Sequence, residues 1–206
     1  MNRNSVVSKA REFFGKGILS IQSVYNSIRP LPVGYKLKIS DNWCAAFVSS
    51  IFWSLGYTEF PFECSVARMI KKAQSMGIWC ENDGLIPKIG DLIVYDWQDS
   101  GYGDNIGNPD HIGIVINVSG YDLQILEGNK NHKVGIRSVR VNGMYIRGYI
   151  TPRYTDDVSN GVDITAIAKD VIKGKYGVMP DRKRKIEAIG ISYDLVRAEV
   201  NRLLKR

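Results

Sequence analysis

The sequence predicts an α+β protein in which helices come first and an antiparallel β-sheet follows. Apolar residues recur at helical spacing in three segments before Gly84. Beyond Gly84 the pattern changes to short apolar runs that glycine-rich turns separate, which is typical of β-strands. After residue 162 helical spacing returns, so we expect a small three-helix bundle behind the α+β domain.

Three helices are expected in the amino-terminal part. Residues 5–28 have the apolar spacing of one helix, and prolines interrupt the chain after it. Residues 43–55 are apolar nearly all the way round, which indicates a helix buried in the domain centre, and Gly56 can end it as a left-handed cap. Residues 65–76 form a third, more amphipathic helix.

Five strands are expected to form an antiparallel meander, in which each strand pairs with the next. They are residues 91–97, 111–118, 123–127, 134–141 and 145–150. Residues 98–110 are rich in Gly, Asp and Asn and predict a loop that ends at His111 and borders the functional site. The loop lacks the ordered ligand spacing of an EF-hand, although Asp99, Asp104 and Asp110 offer oxygens to calcium.

Composition limits the class of protein. The chain has 206 residues, of which 44% are hydrophobic and 24% charged, enough for one well-buried core and a small appendage. Three cysteines, Cys44, Cys64 and Cys80, form no disulfide framework and contain no C-x-x-C pair for a metal, so we expect a reducing compartment of synthesis and no metal or other cofactor. The first 22 residues offer no signal-peptide core, and no apolar stretch approaches a membrane span.

Charge is concentrated at the carboxyl end. The net charge is +7, and residues 163–206 contain eleven Lys or Arg against six Asp or Glu. Such a segment could meet nucleic acid, an anionic membrane or another anionic polymer, or it could be a solvated helical face.

Cys44 is the candidate nucleophile. Ser40, Asp41 and Asn42 are good N-cap residues directly before an apolar run, which predicts that Cys44 lies in the first turn of a helix. The free N–H groups and the positive dipole end of that turn stabilise a thiolate, and the same N–H groups could bind an oxyanion. The alternative is that Cys44 is a small core residue.

His111 is the candidate base, and its strand neighbours depend on a hairpin. A three-residue loop, residues 119–121, would place Glu127 and Asn129 on the face of His111, whereas a two-residue loop would place them on the opposite face. We therefore predict an odd loop, or a bulge with the same effect. Glu127 or Asn129 would then orient the imidazole, as the third member of a nucleophile, base and orienter set. An acidic residue at a strand end is the alternative.

Four blocks in order resemble a CHAP domain: WCAAFV at 43–48, GDLIVY at 90–95, DHIGIV at 110–115 and EGN at 127–129. CHAP domains are papain-like cysteine, histidine-dependent amidohydrolases or peptidases that cut peptidoglycan. The resemblance spans residues 1–154. It implies Cys44 as nucleophile, His111 as base and then acid, Glu127 as orienter and Asn129 as a further polar member of the site. The acidic calcium-binding run of some members is missing, so we expect no metal requirement.

A second resemblance follows the expected linker at residues 155–162. Residues 163–206 predict three helices, at 164–173, 181–189 and 193–203, and eight apolar residues are expected in their core: Ala166, Ile167, Val171, Ile172, Ile186, Ile189, Val196 and Val200. The segments KGKYG, DRKR and ISYD are similar to the cell-wall-binding repeat of certain phage lysozymes, which implies a muropeptide ligand. We expect it near Tyr176, Arg182 and Tyr193, although Tyr193 could equally be a core residue.

Together these resemblances predict a phage-type endolysin that cuts an amide of peptidoglycan in a Gram-positive wall, as a muramoyl-L-alanine amidase or a peptide endopeptidase. Because one binding repeat is weak, we expect a homo-oligomer or a separate binding subunit, without nucleic acid or membrane insertion. The enzyme would wait in the host cytoplasm until lysis and then reach the wall. Two alternatives stay open: a cytoplasmic thiol peptidase or transferase with a basic docking tail, and an inactive wall-binding protein.

Overall fold

The computed structural model describes residues 2–98, 108–154, 164–189, 191 and 193–204. The chain divides into two compact units, Met1–Arg153 and Tyr154–Arg206. The expected linker at residues 155–162 and most of the expected loop at 98–110 lie outside the described residues. Within the described part, no helix combines the length and apolar character that a bilayer span requires.

The described residues of the first unit form four α-helices: α1 Arg3–Arg11, α2 Ile18–Tyr25, α3 Cys44–Ser54 and α4 Val66–Ser75. The prediction of one helix over residues 5–28 is wrong, because the chain leaves helical geometry between α1 and α2. Gly15 adopts a φ of +76° there and donates its N–H to the carbonyl of Val134. Val134 in turn donates to the carbonyl of Lys16, so this connection is held by a strand rather than by a helix.

Helix α3 is the central helix that its sequence predicts. Its residues from Cys44 to Phe52 are all buried, and Gly56 follows it with a φ of +73°. Helix α4 is amphipathic as expected, and the Ser65 side chain caps it by accepting a hydrogen bond from the N–H of Arg68.

Six antiparallel strands form one sheet in the order β1-β6-β2-β3-β4-β5 within the described residues. They are β1 Trp79–Cys80, β2 Leu92–Tyr95, β3 His111–Ser119, β4 Asp122–Lys130, β5 Lys133–Arg140 and β6 Ile146–Ile150. Strands β2 to β5 form the expected meander. Strand β6 departs from it, since it returns to lie between β1 and β2. Its buried residues Tyr149 and Ile150 fit this interior position better than an exposed sheet edge.

Close backbone approach joins α3 to the sheet. A Cβ atom added at Gly128 of β4 would overlap the side chain of Phe47 and lie 3.1 Å from Cε3 of Trp43. Since glycine carries no side chain, the amino-terminal turn of α3 can rest directly on β4. This contact brings Cys44, the first residue of α3, close to His111, the first residue of β3.

The second unit contains α5 Ile164–Ile172, α6 Asp181–Ala188 and α7 Tyr193–Leu204, close to the predicted bounds. Five predicted core residues lie at the interface of the helices: Ile167, Val171, Ile186, Val196 and, partly buried, Val200. Three predicted core residues are exposed instead. Ala166 and Ile172 lie on the outer side of α5, and Ile189 lies beyond the end of α6. Only one stripe of each short helix faces its neighbours, so apolar spacing alone overcounts the core.

Candidate active site

Cys44 is the first residue of α3, and its 6% exposure makes it a largely buried thiol. The expected N-cap is wrong: Trp43 occupies that position and gives no side-chain cap. The carboxylate of Asp41 is engaged elsewhere, since it accepts hydrogen bonds from the Lys38 N–H at 2.7 Å and the Tyr35 hydroxyl at 2.9 Å. The first N–H groups of α3 therefore have no side-chain cap.

A β-bulge determines the register of β3 and β4, which is one of the two arrangements that the sequence predicts. The loop has two residues, Gly120 and Tyr121, because Ser119 pairs with Asp122. The register then shifts between Val115 and Asn117, and beyond that point Ile114 pairs with Leu126. The three-residue loop is thus wrong, but the bulge has the same effect of reversing the face of the strand.

Glu127 consequently lies on the same side of the sheet as His111. Its Oε2 is 3.2 Å from Nε2 of His111. This distance is short enough for an ion pair, but the carboxylate and the imidazole are not aligned for a good hydrogen bond. Gly113 makes this approach feasible, because a Cβ there would lie 2.8 Å from Cγ of Glu127.

The imidazole contacts Cys44 as well as Glu127, and the two contacts set its charge. Burial disfavours the charged ring, but the hydrogen bond with Cys44 and the interaction with Glu127 outweigh it and raise the pKa of His111 to about 9. Burial alone would raise the pKa of Glu127, yet His111 and Arg137 hold that pKa below its ordinary value. An imidazolium between Cys44 and the buried carboxylate of Glu127 is therefore favoured at neutral pH.

Arg137 on β5 is a site residue that sequence reasoning missed. Its Nε donates to both oxygens of Glu127, at 2.7 and 3.0 Å, and Glu127 is fully buried. The pKa of Arg137 is raised by its hydrogen bond to this carboxylate, against the opposing effect of burial. Nothing in the sequence singles out this arginine, since its place depends on the pairing of β4 with β5.

Aromatic rings cover one side of the imidazole. The ring centroids of Tyr95 and Trp97 each lie 5.9 Å from that of His111, and these two rings stack on each other at 4.8 Å. The guanidinium of Arg137 lies 5.0 Å from the Trp97 centroid. These rings restrict the orientation of the imidazole and exclude water from its face.

Asn129 lies at the mouth of this arrangement. Its backbone has a φ of +60°, and its side-chain amide donates to Oδ1 of Asn42 at 3.0 Å. This bond connects the end of β4 to the loop that precedes Cys44. Asn129 also lines an open cavity of about 500 Å³ that has His111, Trp97 and Tyr145 in its wall.

The remaining cysteines lie apart from the site. Cys64 precedes α4 and accepts from the guanidinium of Arg68 at 3.5 Å, and Cys80 lies in β1. All three cysteines are free thiols. Among the described residues, no group of three His, Cys, Asp or Glu side chains could hold a metal ion. Asp99 and Asp104, considered for calcium, fall outside those residues.

In the second unit, the residues expected near a wall ligand have structural contacts. Tyr176 and Tyr193 pack, partly buried, against the core of the bundle. Arg182 donates its Nε to the carbonyl of Gly177 at 2.8 Å. Each side chain is partly accessible, so these contacts leave surface for a ligand.

Family models match two regions of the chain: a CHAP domain at residues 34–129 and a CW_7 repeat at residues 165–204. These two matches confirm the resemblance of the sequence to a CHAP domain and to a cell-wall-binding repeat.

Two similar solved structures share 18% sequence identity with the chain. A crystal structure of Ly7917 has a TM-score of 0.44, with 74% of this chain and 62% of that chain covered. A structure of Ly7917 with the hydrolysing product of MDP has a TM-score of 0.42 and coverages of 73% and 63%. The chain thus spans less than two thirds of the length of Ly7917. No curated protein sequence matches the chain.

Proposed function

We propose that this protein is a cysteine-dependent peptidoglycan hydrolase with the role of an endolysin. The contact of His111 with both Cys44 and Glu127, inside a CHAP domain, carries the proposal. The CW_7 repeat supports peptidoglycan as the substrate. In this proposal residues 1–154 are catalytic, residues 155–162 link the units and residues 163–206 bind the wall, through a surface that includes Tyr176, Arg182 and Tyr193.

In the proposed mechanism, His111 holds the proton of the Cys44 thiol, and the resulting thiolate attacks the carbonyl carbon of an amide and forms a C–S bond. The carbonyl oxygen becomes an oxyanion, which the uncapped N–H groups at the start of α3 stabilise. The imidazolium of His111 gives its proton to the amide nitrogen, and the C–N bond breaks with release of the amine. His111 then removes a proton from water, whose oxygen attacks the thioester carbon. The C–S bond breaks, the acyl product leaves as a carboxylic acid, and the pair of thiolate and imidazolium is restored.

Two further residues position the imidazole. Glu127 stabilises the charged ring through its contact at Nε2, and so leaves the other ring nitrogen toward the sulfur. Arg137 donates to both oxygens of this carboxylate and keeps it ionised. Asn129 fixes the loop before Cys44 through Asn42, which makes it a positioning residue at the mouth of the site.

The enzyme would act at the wall of a Gram-positive host after a cytoplasmic stage. A single wall-binding repeat would gain affinity from a homo-oligomer or a separate binding subunit. The target is the bond between muramic acid and L-alanine, or an amide within the stem peptide or cross-bridge.

Mass spectrometry of purified walls digested with the full chain tests this proposal. We expect new amino termini or new free lactyl groups that identify the cleaved amide, and none with Cys44→Ala. The matched control is Cys64→Ala, which removes a thiol outside the site and should leave the products unchanged. Equal digestion by wild type and Cys44→Ala would refute cysteine catalysis, and intact walls in both would refute the hydrolase.

A further inference from the structure

Lys130 contributes a positive charge to the cavity beside His111, and the mechanism above does not involve it. Its half-buried side chain lines this cavity together with His111 and Arg137. Across the described residues, no acidic side chain lies in ion-pair contact with its ammonium group. A partly buried cation that has no protein partner in a substrate cavity is available for a ligand.

The backbone of the β4–β5 hairpin brings Lys130 to the cavity. Glu127 and Lys130 are three residues apart, and in a regular strand their side chains would lie on opposite faces of the sheet. The register shifts between them, however, since Glu127 pairs with Gly135 and Lys130 pairs with Lys133. Asn129 provides the irregularity with its φ of +60°. A two-residue turn then closes the hairpin.

Gly135 fixes the direction of the lysine stem. A Cβ atom at this glycine would lie 3.2 Å from Cδ of Lys130 and 3.5 Å from its Cβ and Cγ. The stem therefore lies along the bare backbone of β5, which supports it over most of its length. This support reduces the rotamer entropy that the ammonium group would lose on binding.

The described part of the cavity wall is positively charged, with Lys130 and Arg137 beside His111. Among the described residues that line it, none is Asp or Glu. Glu127 lies buried beneath the imidazole, and its charge is shared by His111 and Arg137. An anionic group on the substrate would complement this arrangement, and a carboxylate is the anionic group of peptides.

We propose that Lys130 binds a free carboxylate of the stem peptide close to the scissile amide, and thereby selects substrates with that carboxylate over their amidated forms. This assignment rests on the proposed function and deepens it by naming the substrate class. A primary amide in place of the carboxylate keeps the shape of the substrate but loses its charge, so Lys130 would distinguish the two by charge alone.

The test uses two synthetic muropeptides that differ only in a carboxylate or a primary amide on the isoglutamyl residue. With the full chain, we expect kcat/KM to be about tenfold higher for the carboxylate form, as for one partly buried charge pair. Lys130→Gln should lower kcat/KM for the carboxylate form about tenfold and change that for the amide form less than about twofold. Lys130→Glu should reverse the preference, and Lys130→Arg should keep it.

Lys133→Gln is the matched control, because this exposed lysine pairs with Lys130 across the hairpin and lies outside the cavity wall. It should keep the wild-type preference. Thermal unfolding of each variant reports whether the hairpin stays folded. Hydrolysis of both substrates with a ratio that Lys130→Gln leaves unchanged would overturn the role of Lys130 alone. Hydrolysis of neither substrate by the wild type would overturn the proposed function as well.

Discussion

Glu127→Gln should reduce turnover and shift the pH dependence of the enzyme in a defined direction. The carboxylate contributes to the rise in the pKa of His111 from 6.5 to about 9, which corresponds to about 3 kcal/mol in favour of the imidazolium. A neutral amide of the same shape cannot stabilise that charge, so the pKa of His111 should fall. Loss of the orienting group should lower kcat by about 10²- to 10⁴-fold.

The alkaline limb of the kcat profile is the sensitive readout. Since His111 must donate a proton to the leaving amine, wild-type activity should fall as pH rises through about 9. In Glu127→Gln this limb should move to lower pH. The free energy of unfolding should depend on pH in the same direction. The stabilisation that the raised pKa of His111 provides is complete below pH 6.5 and is lost as pH rises through about 9. Glu127→Gln should lose this pH dependence of stability.

Glu63→Gln separates this effect from simple destabilisation. Glu63 is also a fully buried carboxylate with two cationic partners, Arg68 at 3.0 Å and Lys72 at 2.9 Å, but it lies outside the site. Both variants should lower the unfolding temperature, and only Glu127→Gln should change the pH profile. Turbidity loss of purified walls between pH 5 and 10 provides the rates. An unmoved alkaline limb in Glu127→Gln would refute the role of this carboxylate.

Three further predictions concern the stability of the fold and the dependence of activity on metal. Gly128→Ala should push α3 from β4 and destabilise the fold by about 1–3 kcal/mol, whereas Gly17→Ala, whose Cβ would meet nothing closer than 3.7 Å, should have little effect in urea unfolding. Arg3→Ala should cost about 3–5 kcal/mol in the same assay, because it removes the guanidinium that lies 2.7 Å from the buried carboxylate of Asp91; a cost below about 1 kcal/mol would contradict this. A chelator should leave wall-clearing rates within about twofold; abolished activity would instead indicate a metal requirement.

Much of the fold can be predicted from the sequence, because local patterns determine its helices and strands. The apolar run after Trp43 predicts α3, and Gly56 predicts its end. The break between α1 and α2 was missed because Gly15 pairs with Val134, more than a hundred residues away. The pairing of β6 with β2 likewise depends on tertiary packing, and the periodicity of a strand does not show which strand it pairs with.

The sequence predicts which residues form the candidate site, but it does not predict their geometry. Cys44, His111 and Glu127 stand out by their local motifs, and the face of Glu127 could be stated only as dependent on the loop or a bulge. Arg137 and Lys130 carry no such motif. Their places follow from the register of β4 and β5, which a single shift between Glu127 and Lys130 determines.

Alkylation by iodoacetamide measures most directly whether Cys44 is the nucleophile. Peptide mapping over time should find the label first on Cys44, with wall-clearing activity lost in proportion to that label. Because His111 contacts the sulfur, His111→Ala should slow the labelling of Cys44 and leave that of Cys64 unchanged. Full activity in protein whose Cys44 is completely alkylated would contradict the account.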